Sequence, residues 1–258
     1  MRNYTEINKE LDIVYNEKWQ VLSGELKNYN ERNDKHKASN PLLLKLGEHF
    51  DFDFNNRGNK KIIMCFGQET NGNGVFSGEL EGYEKLINQE NSNRECAKKW
   101  KNGKNYHTWC GVIAHKWLKD KSKDLFGVGK DDVFVIWNNI RKISTKTNSK
   151  TRGKLDERLK KIIETHFNII PQELEIIKPD FLFFCTGNND ADIKRFVGEM
   201  ENKKNYKFDT AKGKGSLCRF NINNYNALRG YYPILNSTFW KNQKDFILHN
   251  HQEILQAT

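Results

Sequence analysis

Apolar residues recur every three or four positions over residues 5–30: Ile7, Leu11, Val14, Tyr15, Trp19, Leu22 and Leu26. That spacing lines one face of a helix and predicts one there. Residues 27–40 are polar and turn-rich, and DFDFNNRGNKK (51–61) reads as a loop. The pattern then changes to short, continuous apolar runs. KIIMCFG (61–67), VFVIW (133–137) and FLFFCTG (181–187) have strand length, and SLCRFNI (216–222) is a further β run. Helical spacing returns between them at 105–119, which carries Trp109, Val112, Ile113, Lys116 and Trp117, and again at 155–167 and 190–200. It also covers 171–178, where Pro171 suits the first turn and Pro179 stops the helix. A last helix is predicted over 240–255, with Phe246, Ile247, Ile254 and Leu255 on its apolar face. Residues 144–154 and 201–215 read as Ser/Thr/Lys/Gly-rich loops, and no repeat of fixed period is present. Continuous apolar strands separated by helices imply a parallel sheet buried on both faces. The expected fold is therefore α/β, a three-layer α/β/α arrangement with a central parallel twisted sheet. Residues 1–58 are expected to be a helical extension packed on a core of residues 59–258.

Composition narrows the class. The chain has 258 residues, with 43 Lys and Arg against 33 Asp and Glu, a net charge of +10. Hydrophobic residues make up 36% and aromatics 12%, and the aromatic share argues against wholesale disorder. No apolar run approaches the roughly 20 residues that span a bilayer. MRNYTEINKELDIVYNEKW has no apolar signal-peptide core, so a cytoplasmic protein with no membrane partner is expected. The five cysteines include no CxxC, and Cys65, Cys185 and Cys218 sit in apolar runs where a thiol packs as a small hydrophobe. Neither they nor the seven scattered histidines have metal-site spacing, so neither metal nor cofactor is expected. The basic excess suits a polyanion and is equally compatible with lysines that are simply solvated.

Candidate chemistry sits at the strand ends, because ligands in open α/β sheets bind beyond the carboxyl ends of the strands. The first strand ends Gly67-Gln68-Glu69-Thr70-Asn71-Gly72, the second Asn138-Asn139, and the third Thr186-Gly187-Asn188-Asn189-Asp190. Each is an ordinary turn sequence taken singly. Together, in a parallel sheet, they converge on one rim.

In order and spacing these tips resemble the motifs of the uracil-DNA glycosylase superfamily. GQETNG resembles the first motif, GQDPY, with Glu69 in place of the Asp that handles the attacking water. VIWNNI resembles the strand ending in the Asn that reads the pyrimidine edge, with Asn138 at that position and Asn139 beside it as the alternative. FLFFCTGN resembles the strand of type LLWGN. GYYPILNSTFW resembles HPSPLS, with Pro233 on its first Pro, Tyr232 in place of the catalytic His, Ile234 in place of a phosphate-contacting Ser, and Asn236 in place of the leucine wedge. The resemblance covers about residues 60–258 and implies a uracil-DNA glycosylase-like domain there.

It also implies roles. Glu69 and Tyr232 would be catalytic, the first near the sugar and the second donating a hydrogen bond to the base. Gln68, Asn71, Phe76 and Asn138 would bind the base, with Phe76 stacking on it and Trp109 as a rival for that role. Glu69, Asn138, Asn188 and Tyr232 would face one cleft, and Glu69 and Asn138 on opposite faces would sink the functional reading. Asn71 is smaller than the Tyr it replaces, so a pyrimidine with a polar substituent at carbon 5 would fit. Lys150 and Arg152 in a basic stretch from Arg141 to Lys154, Lys212 and Lys214 in a second, and Asn236 would meet the DNA backbone. The expected function is hydrolysis of the N-glycosidic bond of a flipped, modified pyrimidine in DNA, in the setting of DNA repair, by a monomer. One alternative is a catalytically weak or inactive module of the same fold that binds nucleic acid or a base. Another is an unrelated α/β hydrolase or transferase, for which GxSxG is lacking.

Overall fold

The computed structural model describes residues 1–33, 36–69, 75–76, 114–147, 156–210, 213–230 and 238–255. Helix α1 (Tyr4–Glu31) starts at Asn3, whose side chain accepts from the backbone amides of Thr5 and Glu6, two of the donors that a helix start leaves unpaired. Its apolar stripe is buried as the spacing requires, from Ile7 to Tyr29. Strand β1 (His36–Ala38) pairs with β4 (Thr145–Thr147) in a small antiparallel sheet.

The main sheet contains β2 (Lys61–Glu69), β3 (Val133–Arg141), β5 (Phe181–Cys185), β6 (Glu201–Thr210), β7 (Gly213–Ile222) and β8 (Tyr225–Gly230). Its order is β3-β2-β5-β8-β7-β6. The first four strands are parallel, and β7 and β6 add to β8 as an antiparallel hairpin. The sheet is thus mixed rather than wholly parallel.

Alternation along β2 separates two cores. Ile62, Met64 and Phe66 pack on α1, α4 (Glu157–His166), α5 (Ile170–Ile177) and α6 (Asp190–Phe196). Ile63 and Cys65 pack on helix α2 (114–120), α3 (Ser122–Phe126), α7 (Thr238–His249) and α8 (His251–Leu255). Below, these are the α1 face and the α7 face. The α1 stripe belongs to the same cluster as β2, β3 and β5, so the amino-terminal helix completes the core.

Several local signals act as the sequence suggests. Asp156 caps α4 by accepting from the Leu159 amide at 2.8 Å, and it also accepts the Tyr29 hydroxyl of α1. Pro171 sits in the first turn of α5, and Lys178 ends that helix in the left-handed region (φ 51°), with Pro179 next. The carbonyls left over there are taken by arginines. Arg57 donates to Ile177 O and Lys178 O at 2.7 Å each, and Arg2 to Ile176 O at 2.6 Å.

The stretch 201–215 is not a loop, since it holds β6 and the start of β7. Among residues 201–209 only Tyr206 and Phe208 point inward, because β6 is an edge strand. One apolar pair among lysines gives too weak a period to read. Strand β8 was hidden for the opposite reason, its short YNALRG run being mostly buried by its neighbours. Of the helix predicted over 105–119, residues 105–113 lie outside the described residues. Cys65, Cys185 and Cys218 are buried and form no disulfide among the described residues, and burial pushes the Cys65 thiol up.

Candidate functional site at the carboxyl rim

The four parallel strands end at one level. Gly67 pairs with Asn139, Phe66 with Phe184, and Cys185 with Gly230, so a row Asn139–Gly67–Cys185–Gly230 crosses the sheet on the α7 face. Two glycines in that row make it shallow, and side chains lie over them. A methyl group on Gly67 would stand 2.5 Å from Asn139 Oδ1 and 2.7 Å from the Trp137 ring. One on Gly230 would stand 2.7 Å from Gln243 Oε1, which α7 brings in. Two amides and an indole therefore occupy the space vacated by the missing side chains.

The two consecutive asparagines have different fates. Asn138 is turned to the α1 face. Its Nδ2 donates to Glu173 Oε2 at 2.8 Å, and its Oδ1 accepts from Lys142 Nζ and, at 2.8 Å, from the Asn139 amide. Lys142 Nζ meets Glu173 Oε1 at 2.8 Å, and the Tyr15 hydroxyl donates to the same oxygen at 2.6 Å. The Leu44 amide donates to Tyr15 at 3.1 Å. This network is closed and buried, with side-chain exposures of 2% for Lys142 and 0% for Glu173. Asn138 is therefore a structural amide, which corrects the expectation that it reads a base. Asn139 is also buried, but its side-chain amide makes no hydrogen bond among the described residues.

Register separates the expected pair as well. Glu69 is paired with Arg141, and Asn138 with Phe66. With a strand period of two, position 69 has the parity of Gly67 and Asn139 and lies opposite in face to Asn138. The expectation that Glu69 and Asn138 share one cleft does not hold, which overturns the reading built on Asn138 and leaves only its alternative, Asn139, at the parity of position 69.

Phe76 is the other correction. Its ring is buried edge-on against Trp19 of α1, 5.8 Å between centroids, within the α1-face core. An aromatic held there has no free face for a base. The indole near the rim is Trp137, half-buried over Gly67. The sequence carries only part of its signal, an aromatic two residues before Asn139, and the structure adds the register that sets it beside Gly67.

Arg141 and Lys142, placed by sequence in a basic loop, end and follow β3 and are buried. Lys142 belongs to the network above, and Arg141 pairs with Asp192 of α6. On the far side, Arg229 donates to Gly187 O at 2.9 Å and Asn188 Oδ1 at 2.8 Å, and its Nε lies 2.7 Å from Asp190. Asn188 is thus held by Arg229. Gln68 is half-buried at the end of β2, on the α1-face parity. Asn71, Lys150, Arg152, Lys212, Tyr232 and Asn236 lie outside the described residues. Of Glu69 and Lys214 only the backbone positions are described, Lys214 being paired with Asp209.

The hairpin has a bearing on the rim. Strand β7 pairs with β8 only over Cys218–Ile222, while β6 and β7 stay paired out to Thr210 and Gly213. The hairpin therefore overhangs the carboxyl end of β8, on the side where the rim opens. Its α7 face is covered, with Tyr206 and Phe208 packed against Phe246. Lys207 is exposed on it.

Among the described residues no group of three His, Cys, Asp or Glu could hold a metal ion, and no helix is long and apolar enough to cross a membrane. No protein-family model matches the chain, and no curated protein matches it.

Proposed function

We propose that the chain is a DNA-binding protein of uracil-DNA glycosylase-like type, which takes an extruded base at the carboxyl rim and hydrolyses its N-glycosidic bond. The observation that carries this reading is Asn139: a largely buried residue whose side-chain amide has no hydrogen bond among the described residues, over Gly67, at the parity of position 69. An amide offers one donor and one acceptor to a pyrimidine edge, and the Trp137 ring beside it offers an aromatic surface. Glu69 would stabilise the cationic sugar and hold the attacking water, and Tyr232 would donate to the base. The overhanging β6–β7 hairpin, with Lys207, Lys212 and Lys214, and the stretch containing Lys150 and Arg152 would follow the phosphates.

A second reading, binding without turnover, is favoured by one observation. The Asn at the resembled position, Asn138, has its amide taken up by a lysine–glutamate network.

The test is release of free base from matched oligonucleotides carrying uracil, thymine or 5-hydroxymethylated pyrimidine, with binding measured in parallel. Glu69→Gln should bind and not turn over, and Asn139→Ala should lose discrimination between bases. Binding should weaken with salt by a slope of about -0.9 per phosphate contact on duplex. Replacing Lys150, Arg152, Lys212 and Lys214 together should flatten that slope. Binding without release selects the second reading, and absence of both at low salt overturns the proposal.

A further inference from the structure

Asn138 is turned away from the row that holds Asn139, yet one of its bonds goes to that residue. Its Oδ1 accepts from the backbone N–H of Asn139 at 2.8 Å. Among the described residues β3 is the last strand of the main sheet, so one row of its backbone groups is open to such a side chain. The Asn138 amide has a single allowed orientation. Its Oδ1 also accepts from Lys142 Nζ, and its Nδ2 donates to Glu173 Oε2 at 2.8 Å. Turned over, Nδ2 would meet two donors and Oδ1 a carboxylate oxygen. The neighbours are pinned in turn: Lys142 Nζ and the Tyr15 hydroxyl both donate to Glu173 Oε1, at 2.8 and 2.6 Å. All four residues are buried, and at low dielectric a change in one such bond is felt by the others.

The Asn139 side chain is fixed by less. The residue is 6% exposed, and its amide makes no hydrogen bond among the described residues. It lies over Gly67, with the Trp137 ring over the same glycine. Its placement therefore follows from packing and from its own backbone. The bond from the Asn139 N–H to Asn138 sets the peptide plane from which that side chain leaves β3.

We propose that Asn138 is a positioning residue for the rim: Lys142 and Glu173 hold its orientation, and through the Asn139 N–H it sets where the Asn139 amide stands. It touches no base itself. The inference rests on the reading of Asn139 as the amide that meets the base. Recognition groups need to be held within about 0.5 Å by the residues behind them, and Asn138 supplies that support from the opposite face of the strand. The same bonds join α1 to the rim, from Tyr15 through Glu173 and Asn138 to Asn139.

The experiment compares variants of the full chain. Asn138→Ala removes the acceptor. Asn138→Asp keeps it and sets two carboxylates against each other. Asn138→Asp combined with Glu173→Gln exchanges amide and carboxylate, which keeps the charge and every nitrogen–oxygen hydrogen bond of the network. Without ligand, hydrogen exchange at the Asn139 N–H should be about fivefold faster in Asn138→Ala, relative to Val135 of the same strand, as loss of one hydrogen bond requires. The side-chain amide resonance of Asn139 should shift in both single variants and return in the exchanged pair. With oligonucleotides carrying uracil, thymine or 5-hydroxymethylated pyrimidine, Asn138→Ala should lose discrimination between bases. Asn138→Ala with Asn139→Ala should lose no more than Asn139→Ala alone, because the first acts through the second. Losses that multiply, or an Asn139 resonance that ignores Asn138, overturn the proposal. So does an equal loss of discrimination in Ile163→Val, a core change in α4 away from the network. If the resonance shifts and returns as stated while no oligonucleotide binds, the positioning stands and the DNA reading falls. If wild type and Asn138→Ala discriminate bases equally, the DNA reading stands and the positioning falls.

Discussion

Asn138 and Asn139 are chemically identical neighbours on one strand, and the sheet gives them opposite work. Asn138 faces α1 and lies in a closed network with Lys142, Glu173 and Tyr15, drawn from β3, the residue after it, α5 and α1. Asn139 faces α7 across Gly67, and its amide has no hydrogen bond among the described residues. The difference comes from what each face packs against. On the α1 face three elements each bring a polar group to one point, and a buried ion pair persists only when its remaining donors and acceptors are filled. On the α7 face glycines in the paired strands leave room, and no described residue bonds the amide. A saturated amide maintains the fold, whereas an unsaturated one at a strand end is available to a ligand.

The largest effect that would break this comparison is at Glu173. Glu173→Ala leaves Lys142 buried without its carboxylate and Tyr15 without its acceptor. It should cost about 3–5 kcal/mol, measured by denaturant unfolding. A loss below about 1 kcal/mol, within the range of exposed pairs, would mean that the network is solvated.

Next comes the asparagine pair itself. Asn138→Ala should cost about 1–3 kcal/mol, because it strands donors on Lys142 and Asn139 and an acceptor on Glu173. Asn139→Ala should change stability by about 0.5 kcal/mol or less and act on ligand binding alone. Equal losses at the two positions would erase the distinction between the faces.

Gly67→Ala sharpens it from the other side. Its methyl would crowd Asn139 and Trp137 on the α7 face and nothing on the α1 face. The Trp137 fluorescence and base binding should change, with a stability loss of about 1–3 kcal/mol for overpacking.

The smallest effect expected is in alkali. Burial, and then the hydrogen bond to Asp156, raise the Tyr29 hydroxyl above its ordinary value near 10. Tyr206, Tyr225 and the Cys65 thiol are raised too, burial being the first cause in each. The folded chain holds those protons where the unfolded chain releases them. The stability they contribute is present below the unfolded values and is lost as pH rises through the folded ones. Unfolding measured from about pH 9 to 11 should show a falling limb, shallower in Tyr29→Phe.

Much of this architecture could be read without coordinates. The α1 stripe, the strands at 61, 133 and 181, the α4 and α5 helices and the Pro171–Pro179 boundaries follow from period, run length and proline chemistry. Each of those signals is local. The hairpin of β6 and β7 escaped, because an edge strand carries apolar residues on half of one face only. The site was legible in kind: amides and a carboxylate at strand ends. It was not legible in detail, since moving from Asn138 to Asn139 reverses the face, and a motif match has no parity until its strand is in register with another.

The division has a physical basis. Sequence by itself determined which segments are helices or buried strands, because backbone propensity and hydrophobic period act within a few residues. It also set the basic charge excess and the buried thiols. Tertiary structure alone decided that α1 completes the core and that Lys142 is buried while Lys207 is exposed. It alone paired Glu69 with Arg141, and joined Arg141 to Asp192. Those outcomes depend on which strands become neighbours and on which groups meet once water is excluded, and the energies of such encounters join residues far apart in the chain.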